Sequence, residues 1–145
     1  MTYSNERLND IYDRTSGYCH ICHKKLAFKN HAALGKRGAW EVEHSNPRAK
    51  GGTDKLQNLF AACISCNRSK GKGTTKAARA ANGKTKAPLH VAKRRQEKMK
   101  NAAAGAVVGA GVGAVFGPLG ALVFGALGAK IGHDQNPDHQ YAWTS

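Results

Sequence analysis

Two cysteine pairs limit what this chain can become. Cys19-His20-Ile21-Cys22 and Cys63-Ile64-Ser65-Cys66 are each a C-x-x-C, and 40 residues separate them. A C-x-x-C bends the backbone so that both sulfurs reach one ion, and two such knuckles complete a tetrahedral thiolate shell around zinc. The other readings of the pairs are redox dithiols or disulfides, or an iron–sulfur cluster. The gap exceeds that of a minimal zinc ribbon, so a further element must lie between the knuckles. Four thiolates close the shell and leave no open position, so this zinc is expected to hold the fold rather than perform chemistry. Four Cys in 145 residues is too sparse for a disulfide-rich secreted scaffold. The N-terminal stretch MTYSNERLNDIYDR lacks the apolar core of a signal peptide, and a cytoplasmic start is the expectation.

The element between the knuckles reads Trp40-Glu41-Val42-Glu43-His44-Ser45-Asn46-Pro47, then Lys50-Gly51-Gly52-Thr53-Asp54, then Leu56-Gln57-Asn58-Leu59. Trp40 and Val42 alternate with Glu41 and Glu43, which predicts a short strand. Gly51-Gly52 predicts a turn. Leu56, Leu59 and Phe60 are expected to reach the core. Upstream, Leu8, Ile11 and Tyr12 share one face of a predicted helix that ends near Gly17.

From about Tyr18 to Gly71 the chain resembles an HNH endonuclease module of the ββα-metal (His-Me finger) type. The resemblance rests on C-x-x-C, Glu43-His44, Gly51-Gly52, Asn58-Leu59 and C-x-x-C-Asn67-x-x-Lys70-Gly71, taken together. Asn67 stands at the family's third signature position and Glu43 stands where Asp is more frequent. The resemblance implies that His44 is a general base, because neutral imidazole accepts a proton from water near pH 7. It implies that Glu43 and Asn67 hold Mg²⁺ or a similar hard cation through oxygen, and that Asn58 positions the loop beside the base. Arg68 and Lys70 are candidate phosphate contacts. Adjacent strand residues face opposite ways, so Glu43 and His44 can share one cation only if the strand ends beside Ser45-Asn46-Pro47. His20 and His23 flank the first knuckle and are expected to be exposed, since four Cys suffice; His31, His90, His133 and His139 are expected to be structural or solvent-facing.

Charge divides the chain. The whole carries a net +14; residues 1–100 hold 22 basic and 7 acidic residues, a net +15, and residues 101–145 carry −1. Such a balance calls for a polyanion, either nucleic acid or an anionic membrane surface. Residues 68–100 hold 12 Lys and Arg against Glu97 alone. They read as an arm with salt-sensitive affinity for phosphates, as a basic helix from Pro88 to Lys100 on DNA or acidic lipid, or as a solvated flexible segment. No aromatic residue interrupts the arm for stacking on single strands.

Residues 102–129 carry no charge, and Gly105, Gly109, Gly113 and Gly117 recur every fourth residue. On a helix such glycines form a flat groove that admits another backbone closely. This run resembles glycine-zipper membrane segments. As one helix its 28 residues would reach about 42 Å, enough to cross a core of ~30 Å. Pro118 either kinks that span or turns it into a hairpin whose halves, ~20 Å each, are too short to cross alone. A soluble homo-oligomerisation helix and a flexible tail are the other readings.

The expected architecture is therefore α+β: a ββα-metal module framed by four Cys, with a C-terminal glycine-rich helix or helical hairpin. The expected divisions are 1–71 for the nuclease domain with its N-terminal helix, 72–101 for the basic arm, 102–132 for the apolar segment and 133–145 for a polar tail. The expected activity is metal-dependent hydrolysis of DNA, at the membrane if residues 102–129 insert. The rivals are a zinc-dependent DNA-binding module without cleavage and a membrane-anchored assembly protein with a vestigial nuclease domain.

Overall fold

A computed structural model describes residues 3–138. His139 and residues 140–145 of the polar tail lie outside the described residues. The chain divides into two compact units, Met1–Val91 and Ala92–Ser145.

The first unit begins with α1 (Asn5–Asp13), whose N-cap Ser4 accepts from the Arg7 amide. Leu8 and Ile11 are buried beneath it, and Tyr12 donates to the Leu26 carbonyl at 2.8 Å. Strand β1 (Trp40–His44) pairs antiparallel with β2 (Leu59–Cys63), Trp40 opposite Cys63 and His44 opposite Leu59. Helix α2 (Ile64–Lys70) follows β2 directly, so the second knuckle straddles the strand–helix junction. The first knuckle is joined to the sheet by the His20 amide, which donates to the Ala61 carbonyl at 2.8 Å. The core gathers Leu8, Ile11, Ile21, Leu26, Trp40, Leu59 and Ala61.

Both faces of the sheet are covered, and this corrects the simple alternation read from the sequence. Trp40 is fully buried on one face, but Glu43 is fully buried on the other, and Val42 is only half-buried. Of the readings of the basic stretch, a fully solvated flexible segment does not hold for residues 72–91. Helix α3 (Thr75–Ala81), capped by Thr74, packs into the first unit, which continues to Val91.

The second unit is a helical hairpin. Helical structure runs from Val91 to Asp134, but it folds back at residues 114–117 into α4 (Val91–Gly113) and α5 (Gly117–Asp134). A Cβ added at Gly105 would stand 2.1 Å from the Gly128 carbonyl oxygen, one at Gly109 2.0 Å from that of Phe124, and one at Gly113 2.4 Å from that of Gly120. Every-fourth glycine therefore does form the contact face, and the partner is the other arm of the same hairpin. Gly117 leaves the series: at φ +80° it makes the turn, and Pro118 starts α5. At the open end Arg94 bonds Asp138 and Asn136.

Candidate functional site

The four cysteine sulfurs lie within 4.8 Å of one another, with Cys22 Sγ and Cys63 Sγ 3.7 Å apart. A tetrahedron with metal–sulfur bonds of about 2.3 Å has edges of about 3.8 Å, so the donor set fits zinc. The Cys19 sulfur accepts backbone amides of Ile21, Cys22 and Cys63 at 3.3–3.5 Å, which pins both knuckles. The thiols compete for protons at this spacing. Bonding from Cys19 and Cys22 pulls Cys63 down, whereas burial first, and then Cys63 and Cys22, push Cys66 up to about 12. A cation among them would relieve that competition. These four are the only such cluster of three or more His, Cys, Asp or Glu among the described residues.

His44 ends β1, with its backbone fixed by Lys70 Nζ at 3.0 Å from the His44 carbonyl. Its Nε2 lies 2.7 Å from Asp54 Oδ1. A carboxylate accepts only, so the bond to Asp54 favours the proton on Nε2 and a free lone pair on Nδ1, although Arg48 Nε also lies 3.2 Å from Nε2 and competes for it as a donor. Arg48 and Tyr3 also donate to Asp54, at 2.5 and 3.2 Å. Bonds from Arg48 first, and then from His44, hold the Asp54 carboxyl at about 2. Asp54 was not singled out in the sequence; its place two residues past Gly51-Gly52, in a loop that must fold back, was the available signal.

That loop is built by Asn58. Its Oδ1 accepts the Asn46 amide at 2.7 Å, and its Nδ2 donates to the carbonyls of Asn46 and Thr53 at 3.0 and 2.8 Å. The Ser45 amide donates to the Asn58 carbonyl at 2.9 Å. Gly52 is required here because an added Cβ would stand 1.8 Å from the Asn46 carbonyl oxygen. Asn58 thus ties both ends of the segment between His44 and Asp54.

Glu43 is placed otherwise than expected. It points away from His44 and is fully buried, with His20 Nδ1 at 3.0 Å, Lys70 Nζ at 3.1 Å and Thr75 Oγ1 at 3.0 Å. Burial alone would raise its carboxyl, but bonds from His20 and then Lys70 outweigh it and hold the group below its ordinary value. His20, expected to be exposed, is instead buried. It stacks on Phe60 at 3.7 Å between ring centroids, and Arg79 donates to both its Nε2 and its carbonyl. Burial, followed by the Arg79 charge, outweighs the bond to Glu43 and lowers its pKa. Lys70, expected at a phosphate, has a side chain only 2% exposed and is spent on Glu43 and the His44 carbonyl. Asn67 donates from Nδ2 to Glu41 Oε2 at 3.1 Å, and Arg68 pairs with the same carboxylate at 3.1 Å while staying largely exposed. Glu43 and Asn67 thus bond different neighbours, His20, Lys70 and Thr75 for the first and Glu41 for the second.

Residues 19–73 match the model of the HNH endonuclease family. This segment is an HNH domain. No curated protein and no solved structure matches the chain. The ββα order, the four-Cys frame and the Glu43-His44 strand end all fall inside the matched HNH segment, whereas α1, the whole of α3 and the hairpin fall outside it. Of the remaining histidines, His31 lies edge-on to Trp40 at 4.7 Å, His23 bonds the Lys86 carbonyl at 2.9 Å, and His133 neighbours Asp134 at 3.3 Å.

Proposed function

We propose that the chain is an HNH endonuclease that hydrolyses DNA phosphodiester bonds with His44 as the general base. The observation that carries this is the 2.7 Å bond that Asp54 Oδ1 accepts from His44 Nε2, which leaves Nδ1 able to take a proton from water. Asp54 orients the ring, Asn58 holds the loop that carries Asp54, and Arg48 lies beside the imidazole as a guanidinium for the attacked phosphate. Arg68 adds an exposed cation on α2. The net +15 of residues 1–100 would gather DNA without reading its sequence. Zinc at Cys19, Cys22, Cys63 and Cys66 supports the scaffold by joining the first knuckle to the β2–α2 junction. Residues 102–129 would associate this activity with a membrane.

The test is plasmid cleavage by the full, zinc-loaded chain in Mg²⁺, Mn²⁺ or EDTA. The metal arms matter because a divalent cation would have to enter beside a carboxylate that Lys70 now holds. Nicked or linear product in any arm supports the hydrolase. DNA binding with no product in every arm overturns it in favour of the binding module.

A further inference from the structure

The hairpin is built with its small residues inside and its large ones outside. The contacts that glycine permits are consumed between the arms: Gly105 against Gly128, Gly109 against Phe124, Gly113 against Gly120, and Gly132 against the Asn101 carbonyl. One face bears a groove walled by Val108, Val112, Phe124, Leu127 and Ile131. Val107, Val115, Phe116, Leu119 and Leu122 lie outside that groove, and each is at least 70% exposed. Covering the groove with one partner helix would leave these others in water. A soluble hairpin reverses this order and buries its large side chains in the seam. Hydrocarbon solvates such a surface on all sides, and close-packed small residues are what holds helices together there.

Charge is sorted along the hairpin. No charged residue occurs from 102 to 129, so the turn end is wholly uncharged. The open end carries exposed Lys93, Arg95, Lys100 and Lys130. The acids at that end are engaged: Glu97 with Lys100, Asp138 with Arg94 and Asp134 beside His133. The open end is thus basic, complementary to anionic headgroups.

From these observations we infer that residues 92–134 dock turn-first into a bilayer bearing anionic lipid, as a re-entrant hairpin whose two arms enter and leave on the same side. The uncharged part of α4, 102–113, is about 18 Å long, which exceeds one leaflet of about 15 Å but falls short of the ~30 Å core. Of the kinked span and the hairpin that Pro118 left open in the sequence, this takes the hairpin. It goes beyond the nuclease reading and does not depend on it.

The experiment is flotation of the full chain with vesicles of phosphatidylcholine alone or with phosphatidylglycerol, beside a Val115→Lys/Leu119→Lys variant. A C-terminal tag and external protease report the side on which the tail lies. We expect flotation that anionic lipid strengthens and a tag that stays cleavable from outside. The two lysines should weaken partitioning by about a hundredfold or more, since each must enter the hydrocarbon layer. Adsorption by charge alone predicts the reverse, stronger binding of the more basic variant, and that result overturns the proposal. A protease-protected tag overturns it in favour of a spanning helix. A chain that stays with the aqueous fraction as a stable oligomer overturns it in favour of a second copy covering the same surface. Helicity by circular dichroism and unchanged zinc content show that the variant is folded, and Val107→Lys, away from the turn, serves as a second variant with the same expected direction.

Discussion

Replacing Lys70 by Met separates two accounts of that residue. Read as a phosphate contact, Lys70 should be dispensable for folding, and its loss should reduce the salt dependence of DNA binding by about one unit of slope. The structure instead puts its ammonium 3.1 Å from a fully buried Glu43 and 3.0 Å from the His44 carbonyl. Removing one partner of a buried ion pair costs about 3–5 kcal/mol. Glu43 keeps bonds to His20 and Thr75, which places Lys70→Met near the low end, about 3 kcal/mol. In a domain the size of Met1–Val91 that lowers Tm by about 12 °C or more. Lys70→Met/Glu43→Gln removes the stranded charge and should recover most of the loss. The assay is thermal unfolding of the zinc-loaded protein followed by circular dichroism, with DNA binding titrated against salt. A Tm change under about 4 °C together with a reduced salt slope would refute the buried role.

Other outcomes follow from the same contacts. Asp54→Asn should lower kcat by about ten- to a hundredfold, part of the ~10²–10⁴ that a positioned base supplies, while zinc content and Tm stay near those of the parent. Stripping zinc with a chelator should unfold Met1–Val91, seen as lost near-ultraviolet dichroism, because both knuckles depend on the shared ion. Glu43 has its carboxyl depressed below the ordinary 4.5, so its contribution is complete above that value and is lost as pH falls through the lower folded one. The Tm of the parent should therefore drop more steeply than that of Glu43→Gln as pH is lowered through this range. Gly128→Leu should force the arms of the hairpin apart, since even a Cβ there meets the Gly105 carbonyl oxygen at 2.1 Å. The separation of spin labels at Ala103 and Lys130 would report it.

The zinc frame was legible because C-x-x-C spacing is local chemistry, and the structure brings the four sulfurs together as that spacing demands. The strand at Trp40 and the helix at Leu8 and Ile11 were legible from periodicity. What escaped were features that depend on the second neighbour of a residue. A Glu at a strand position reads as solvent-facing, and only α2 and α3 folding over β1 turn Glu43 inward onto Lys70 and Thr75. His20 looks redundant beside two Cys, yet its imidazole fills the space between Glu43, Phe60 and Arg79. The basic composition of residues 72–91 hid α3, in which Thr75 and Arg79 enter the buried polar network and Ala78 packs against the core. Pro118 left a kink and a hairpin equally open in the sequence; Gly117 at positive φ decides for the hairpin.

His44 is the residue on which the functional account turns. Single-turnover cleavage of supercoiled plasmid by the full chain and by His44→Ala, each checked for zinc content and thermal stability, measures it most directly. The account predicts cleavage by the parent and a rate lower by about 10²–10⁴ in a variant that remains folded and still binds DNA. An unchanged rate in His44→Ala, or no cleavage by a folded and zinc-loaded parent, would contradict it.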